Sequence, residues 1–194
     1  MTMKERPKYK KIIDAAVDVI AEHGFHQAQV SKIAKRAGVA DGTIYLYFKN
    51  KEDILVSLFR DKMAIFIDKI TKEMAEQSTV ADKLFTMVAM HFQQLADDYS
   101  LAIVTQLELR QSNKDLRLEI NAALKNYITV IDDLISFGKK EKLFRSDLDD
   151  RLARQMIFGT LDETVTNWVM NDHKYDLPSL AKPVTDMLIH GLHG

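Results

Sequence analysis

The stretch QVSKIAKRAGVADGTIYLYFKNKEDIL, Gln29 to Leu55, decides how this chain is read. Over about 30 to 37 the residues Ile33, Ala34 and Ala37 fall on one face of a short helix, and Gly38 follows as its left-handed terminator. A further helix begins almost at once, from about Asp41 to Tyr47, so two short helices are separated by the turn Gly38-Val39-Ala40. That is the outline of a DNA-reading helix-turn-helix, whose second helix enters the major groove. Tight helix corners also occur in α-helical proteins at large, so the spacing alone leaves a purely structural corner open.

Working outward, Pro7 suits the first turn of a helix, and Ile12, Ile13, Ala16, Val17 and Ile20 recur at helical spacing up to Gly24, which predicts a first helix over about 7 to 23. Downstream, apolar residues at helical spacing predict helices over about 51 to 76, from a cap at Ser78 or Thr79 onward, over 101 to 110, 115 to 140 and 149 to 171, and from Pro178 to near His190. The 194 residues include 7 Gly and 3 Pro, and none of these lies between positions 43 and 137. Turn-rich β folds need turn residues about every 8 to 12 positions, so an all-α chain of about nine helices is predicted.

Composition narrows the class. There is no Cys, which excludes a disulfide framework and Cys-based zinc sites. No run of 18 apolar residues is present and the first residues lack the apolar centre of a signal peptide, so a soluble cytoplasmic protein with no membrane association is expected. Residues 1 to 50 carry 9 Lys and Arg against 5 Asp and Glu, whereas the whole chain has a net charge of −1. A basic N-terminal quarter on an acidic body suggests an anionic partner for that quarter, with a solvated charge fluctuation as the alternative.

The Gln29–Leu55 stretch closely resembles the DNA-binding motif of TetR-family transcriptional regulators, in register through Ile33-Ala34, Ala37-Gly38-Val39, Gly42-Thr43-Ile44-Tyr45, Tyr47-Phe48 and Lys49 to Lys51. QLELRQSN (106 to 113), RLARQMIFGTLDETVTNWVMND (151 to 172) and KYDL (174 to 177) resemble the members that repress fatty acid degradation genes. The resemblance implies a three-helix DNA-binding domain over 1–50 and a larger helical ligand-binding and dimerisation domain over 51–194. It further implies a homodimer that binds double-stranded operator DNA and is released by a long-chain fatty acyl-CoA effector, with no cofactor.

On that reading, Gln29, Ser31, Lys32, Gly42, Thr43, Tyr45, Tyr47, Lys49 and Lys51 are the DNA-contacting candidates. Gly42 lets backbone approach DNA, and Thr43 offers a hydroxyl and a methyl to a phosphate or base edge. Ile44 and Phe48 are spaced to face the core, while Lys49 and Lys51 stand where phosphate oxygens could be met. Arg6, Lys8, Lys10 and Lys11 could add contacts to backbone or minor groove. Asp41 stands where many members carry a basic or neutral residue, and is expected to cap the third helix rather than read a cytosine. Gln29 stands near a usual Thr or Ser.

For the effector, the candidates are Met63, Phe66, Met87, Phe92, Leu107, Tyr127, Phe158 and Trp168 as apolar lining, with Arg110 and Arg117 for phosphates. Adaptable Met and aromatic side chains suit an alkyl chain, and guanidinium forks suit phosphate; an ordinary core is the alternative for the apolar set. Lys114, and Arg151 with Arg154, offer further cations near acidic neighbours. Gly159, Thr160, Val165, Trp168, Leu188 and Leu192 are the dimer-interface candidates. A TetR-type repressor answering to another hydrophobic ligand, such as a drug or a free fatty acid, is the alternative. An enzyme or metal protein is the reading from another class. No H-E-x-x-H spacing, phosphate loop or nucleophile elbow supports it, and His190 with His193 lies at the C-terminal end, so no catalytic residue and no metal ligand is expected.

Overall fold

The computed structural model describes residues 7–192. Among them are nine α-helices and a short 3₁₀ turn, and no strand. The expectation at Arg6 and the one at His193 lie outside the described residues.

Helix α1 (Pro7–Gln27) buries Ile12, Ile13, Ala16, Val17 and Ile20, the set predicted from periodicity. Its regular part stops at Gly24, whose φ of 72° and ψ of 154° are not helical, and one further turn follows. A side chain at that φ is strained, so glycine is required there. Helix α2 (Val30–Ala37) closes on Gly38 at φ 67°. The Gly38 N–H donates to the Lys35 carbonyl at 3.2 Å and the Val39 N–H to the Ala34 carbonyl at 3.0 Å, the paired bonds of a Schellman ending. Helix α3 (Asp41–Ile44) is shorter than expected, because residues 45–47 continue as turns.

Helix α4 (Lys51–Ala75) starts in a reciprocal cap: Asn50 Oδ1 accepts from the Asp53 N–H at 2.8 Å, and Asp53 Oδ2 accepts from the Lys49 N–H at 2.9 Å. Helix α5 (Val80–Asp97) is capped by Thr79 rather than Ser78, its hydroxyl accepting from the Asp82 N–H. Helices α6 (Tyr99–Leu107) and α7 (Lys114–Lys140) follow, the latter with Asn113 Oδ1 accepting from the Leu116 N–H. Helix α8 (Asp150–Met170) begins at Asp149, whose carboxylate accepts the N–H groups of Arg151 and Leu152. Those two bonds hold its carboxyl below the usual carboxylate range. Pro178 opens a 3₁₀ turn (Pro178–Leu180) that leads into α9 (Ala181–Leu192).

Two compact units result, Met1–Met63 with Ser100–Ala123, and Ala64–Tyr99 with Leu124–Gly194. They do not follow the expected boundary at residue 50. The first half of α4, α6 from Ser100 onward and the start of α7 belong with α1–α3, and Ile54, Leu55, Leu58 and Phe59 of α4 are buried there.

In the second unit the α7–α8 connection folds back on itself. The Leu143 and Phe144 N–H groups both donate to the Gly138 carbonyl, and a Cβ at Gly138 would lie 2.2 Å from the buried Phe144 ring. Gly138→Ala is therefore expected to lower the unfolding free energy by about 1–3 kcal/mol through overpacking. A urea midpoint equal to that of the parent chain would show that the ring can give way.

Candidate nucleic-acid interface and effector body

The first unit sorts its reader residues by burial. Ile33, Ala34, Ile44 and Phe48 form the inner face, and Tyr9 stacks on Phe48 at 5.1 Å between ring centres. Burial, and then a hydrogen bond to Asp61, push the Tyr9 phenol up from its ordinary value. Gln29, Ser31, Lys32, Gly42, Tyr45 and Lys49 are exposed, with Thr43 and Tyr47 half-buried beside them. Tyr45 is 59% exposed and Leu46 73%. Leu46 was missed from sequence: an apolar side chain between two tyrosines reads as core, yet here it projects with the reading residues, where a thymine methyl is a fitting contact.

Two expectations need correction. Asp41 does not cap α3; the cap position is Ala40, whose methyl group cannot accept an N–H, and Asp41 is the first helical residue. Its carboxylate therefore complements the helix N-terminus instead of accepting an N–H. Lys51 is not an outward phosphate contact. Its ammonium donates to the carbonyls of Phe25 at 2.9 Å and His26 at 3.0 Å, and lies 4.7 Å from the Phe25 ring centre. It joins the start of α4 to the end of α1.

Phe25 is tied on its other side as well. Its N–H donates to Glu108 Oε1 at 2.8 Å, and Glu108 Oε2 accepts from Gln111 Nε2 at 2.7 Å. Arg36 braces α2 against α1, its guanidinium donating to both Glu22 oxygens at 2.6 and 2.9 Å. That bond holds the Glu22 carboxyl below its usual range. Lys8, Lys10 and Lys11 are exposed along α1, and Lys32 Nζ lies 3.3 Å from His23 Nε2.

The effector candidates divide between the units. Met63, Leu107, Arg110 and Arg117 belong to the first. Leu107 and Arg110 are exposed, while Arg117 Nη1 donates to the carbonyls of Gln111 at 2.8 Å and Ser112 at 3.3 Å. Arg117 is thus tied through Nη1 to its own loop. In the second unit Arg154 grips Asp132 in a two-point contact of 2.6 and 3.0 Å and is likewise committed.

Phe66, Phe92, Tyr127 and Phe158 do come together in the second unit, from helices α4, α5, α7 and α8, and Met87 is fully buried on α5. Among them stands His91, a residue that no motif or spacing singles out. Its Nδ1 is 3.0 Å from the Tyr127 hydroxyl, the two rings stack at 5.8 Å, and Phe66 meets both edge-on or tilted at 5.8 and 5.5 Å. His91 Nε2 is buried without a hydrogen-bond partner. Burial pushes the imidazole down to about 4 and the Tyr127 phenol up.

Trp168 is not part of this group. It packs with Tyr99 and His173 at 5.3 and 4.3 Å and donates its indole N–H to the Tyr175 carbonyl at 2.8 Å. Phe85 and Met90, also in the second unit, line an open groove of about 400 Å³.

The dimer candidates are corrected too. Val165, Trp168, Leu188 and Leu192 are buried within the chain and have no surface to offer, whereas Gly159 is exposed and Thr160 half-buried. The exposed apolar residues of these helices are Leu152, Met156 and Met170 on α8 and Met187, 71% exposed, on α9. Leu152, Met156, Gly159, Glu163, Asn167 and Met170 recur at intervals of three and four, one face of α8. No group of three or more His, Asp or Glu side chains poised for a metal occurs among the described residues, and no helix there is long and apolar enough to cross a membrane.

Comparison with known proteins agrees with this architecture. Residues 12–58 match the family of bacterial regulatory proteins known as tetR, and residues 59–191 match the C-terminal region of YsiA-like proteins. The chain belongs to the TetR family of transcriptional regulators. The fatty acid metabolism regulator protein of Bacillus subtilis is 59% identical over 190 residues, 98% of each chain. Two solved structures superpose with a TM-score of 0.92 over 95% of this chain and 100% of theirs. They are the fatty acid degradation regulator FadR of Bacillus halodurans, at 65% identity, and the transcriptional regulator FadR of B. subtilis in complex with stearoyl-CoA, at 59%.

The geometry yields two expected outcomes. Lys51→Met removes the donor from two carbonyls at the end of α1 and is expected to cost about 1–3 kcal/mol of stability, measured by urea unfolding; an unchanged midpoint would return Lys51 to the list of surface cations. The second concerns pH. His91 is neutral when folded and titrates near 4, below its ordinary 6.5, so its contribution is complete above about pH 6.5 and is lost as pH falls toward 4. That loss amounts to about 3 kcal/mol. Thermal unfolding of His91→Phe should show a flatter decline than the parent chain between pH 6.5 and 4, and parallel curves would mean that His91 does not titrate this way.

Proposed function

We propose that this chain is a dimeric, DNA-binding repressor of fatty acid degradation genes that long-chain fatty acyl-CoA releases from its operator, working in the cytoplasm by binding rather than catalysis. The observation that carries the reading is likeness of the body as well as the reader: 59% identity runs through 98% of both this chain and the B. subtilis regulator, whose structure holds stearoyl-CoA.

In this reading DNA binding falls to residues 1–50 and ligand binding and dimerisation to 51–194, a division of function that cuts across the first compact unit. Gln29, Ser31, Gly42, Thr43, Tyr45, Leu46 and Tyr47 face the operator, and Lys32 and Lys49 meet phosphates. Phe66, Met87, Phe92, Tyr127 and Phe158 accommodate the acyl chain, in keeping with the apolar lining such ligands require. The exposed α8 and α9 residues, Leu152, Met156, Gly159 and Met187, form the two-fold contact in place of the buried set, and two-fold pairing sets two readers on a near-palindromic site.

Release follows from differential affinity. Acyl-CoA must bind more tightly to an arrangement that holds DNA less well. The segment 107–113 suits that role, because Glu108 within it bonds the backbone of Phe25 beside the reader.

The test is an electrophoretic shift on promoter fragments of fatty acid degradation genes. Binding at nanomolar protein is expected, and saturating stearoyl-CoA should weaken it at least about tenfold, whereas free stearate and short-chain acyl-CoA should not. Unchanged affinity with stearoyl-CoA removes the effector assignment, and release by stearate alone reassigns the ligand to free fatty acids.

A further inference from the structure

We infer that the His91–Tyr127 pair is a polar recognition point inside the effector body, at which His91 Nε2–H donates a hydrogen bond to the carbonyl oxygen of the ligand's thioester. The inference rests on the acyl-CoA reading above and adds to it the place of a polar contact among aromatic rings.

The protonation of the pair follows from counting donors and acceptors. Both groups are neutral when buried, so two hydrogens are shared among the Tyr127 hydroxyl and the two imidazole nitrogens. If His91 Nδ1–H donated to Tyr127, the hydroxyl hydrogen and the Nε2 lone pair would both be left without partners. If Tyr127 O–H donates to Nδ1 at 3.0 Å, only the Nε2–H remains unmet. The second arrangement loses less, so the hydroxyl donates and the imidazole carries its hydrogen on Nε2. Tyr127 thereby fixes His91 as a donor.

An unmet buried N–H is costly, and an aromatic surround offers it nothing comparable to an oxygen. The rings of Phe66, Phe92 and Phe158 lie against the pair. An alkyl chain passing the same point would leave the donor unmet, so the donor marks where a ligand carries an acceptor. A long-chain thioester has one such atom next to its apolar chain, the carbonyl oxygen. Neutrality matters to this selection: an imidazolium there would favour a carboxylate, whereas a neutral N–H suits an uncharged carbonyl.

The experiment compares stearoyl-CoA with S-octadecyl-CoA, the thioether in which a methylene replaces the carbonyl, by isothermal titration on the full-length protein. The parent chain is expected to bind the thioester about five- to tenfold more tightly than the thioether, the effect of one buried hydrogen bond. His91→Phe should erase that ratio by weakening the thioester alone, and Tyr127→Phe should reduce it by releasing the tautomer. Proton-detected ¹⁵N spectra of the parent chain supply a readout independent of variant folding: the His91 Nε2 resonance should move with the thioester and not with the thioether. Equal affinities in the parent chain, or a ratio that survives His91→Phe, would overturn the assignment. Failure of both ligands to bind the parent chain would instead overturn the acyl-CoA reading.

Discussion

Everything in the first unit hangs on the backbone of Phe25. Gly24 leaves the helical path, so the Phe25 N–H turns away from α1 and reaches Glu108, while the Phe25 and His26 carbonyls stay open to the Lys51 ammonium. Three segments remote in sequence, the end of α1, the start of α4 and the end of α6, are thereby fixed to one peptide. Had α1 continued as a helix, that N–H would have bonded the carbonyl four residues back and nothing would tie Glu108 to the reader. The ring of Phe25 is buried beneath the same ammonium, so the junction combines backbone hydrogen bonds, a cation over an aromatic face and apolar burial.

Lys51 at this junction is one of several cations turned inward in a chain of nearly balanced charge. Arg36, Lys51, Lys62, Arg117 and Arg154 are each held by a carboxylate or carbonyls of their own unit. Pairs as exposed as Arg36 with Glu22 add little to stability, so their value lies in orienting helices. Lys8, Lys10, Lys11, Lys35 and Lys49 remain on the surface of the N-terminal quarter. The positive excess seen in composition is thus carried outward by a subset of the residues that produce it.

How much of this was legible in sequence depended on whether the information was local. Helix ends were readable because Gly38, Thr79, Asp149 and Pro178 act through neighbours within a few residues, and the reader was readable for the same reason. The shortened α3 was not, since residues 45–47 keep an apolar rhythm while turning. Lys51 misled because its partners lie about 25 positions away. The dimer face misled for a different reason: α8 is apolar on two sides, with Ala153, Ile157, Leu161, Val165 and Trp168 inward and Leu152, Met156 and Met170 outward, and periodicity cannot say which side the chain itself covers. His91 was invisible because its surround is assembled from four helices.

The magnitudes also bear on how such a protein is switched. Coupling between an effector and a second site is typically about 1–3 kcal/mol. A hydrogen bond from a backbone N–H to a carboxylate contributes about 1.5–3 kcal/mol, so making or losing the Phe25–Glu108 contact is of the size that a useful response requires. The aromatic core around His91 is built for the opposite task. Its ring contacts are individually small, and together they hold the second unit in one arrangement. A single directional tether beside the helix-turn-helix, set against diffuse packing in the second unit, places the contact of that size in the first unit alone.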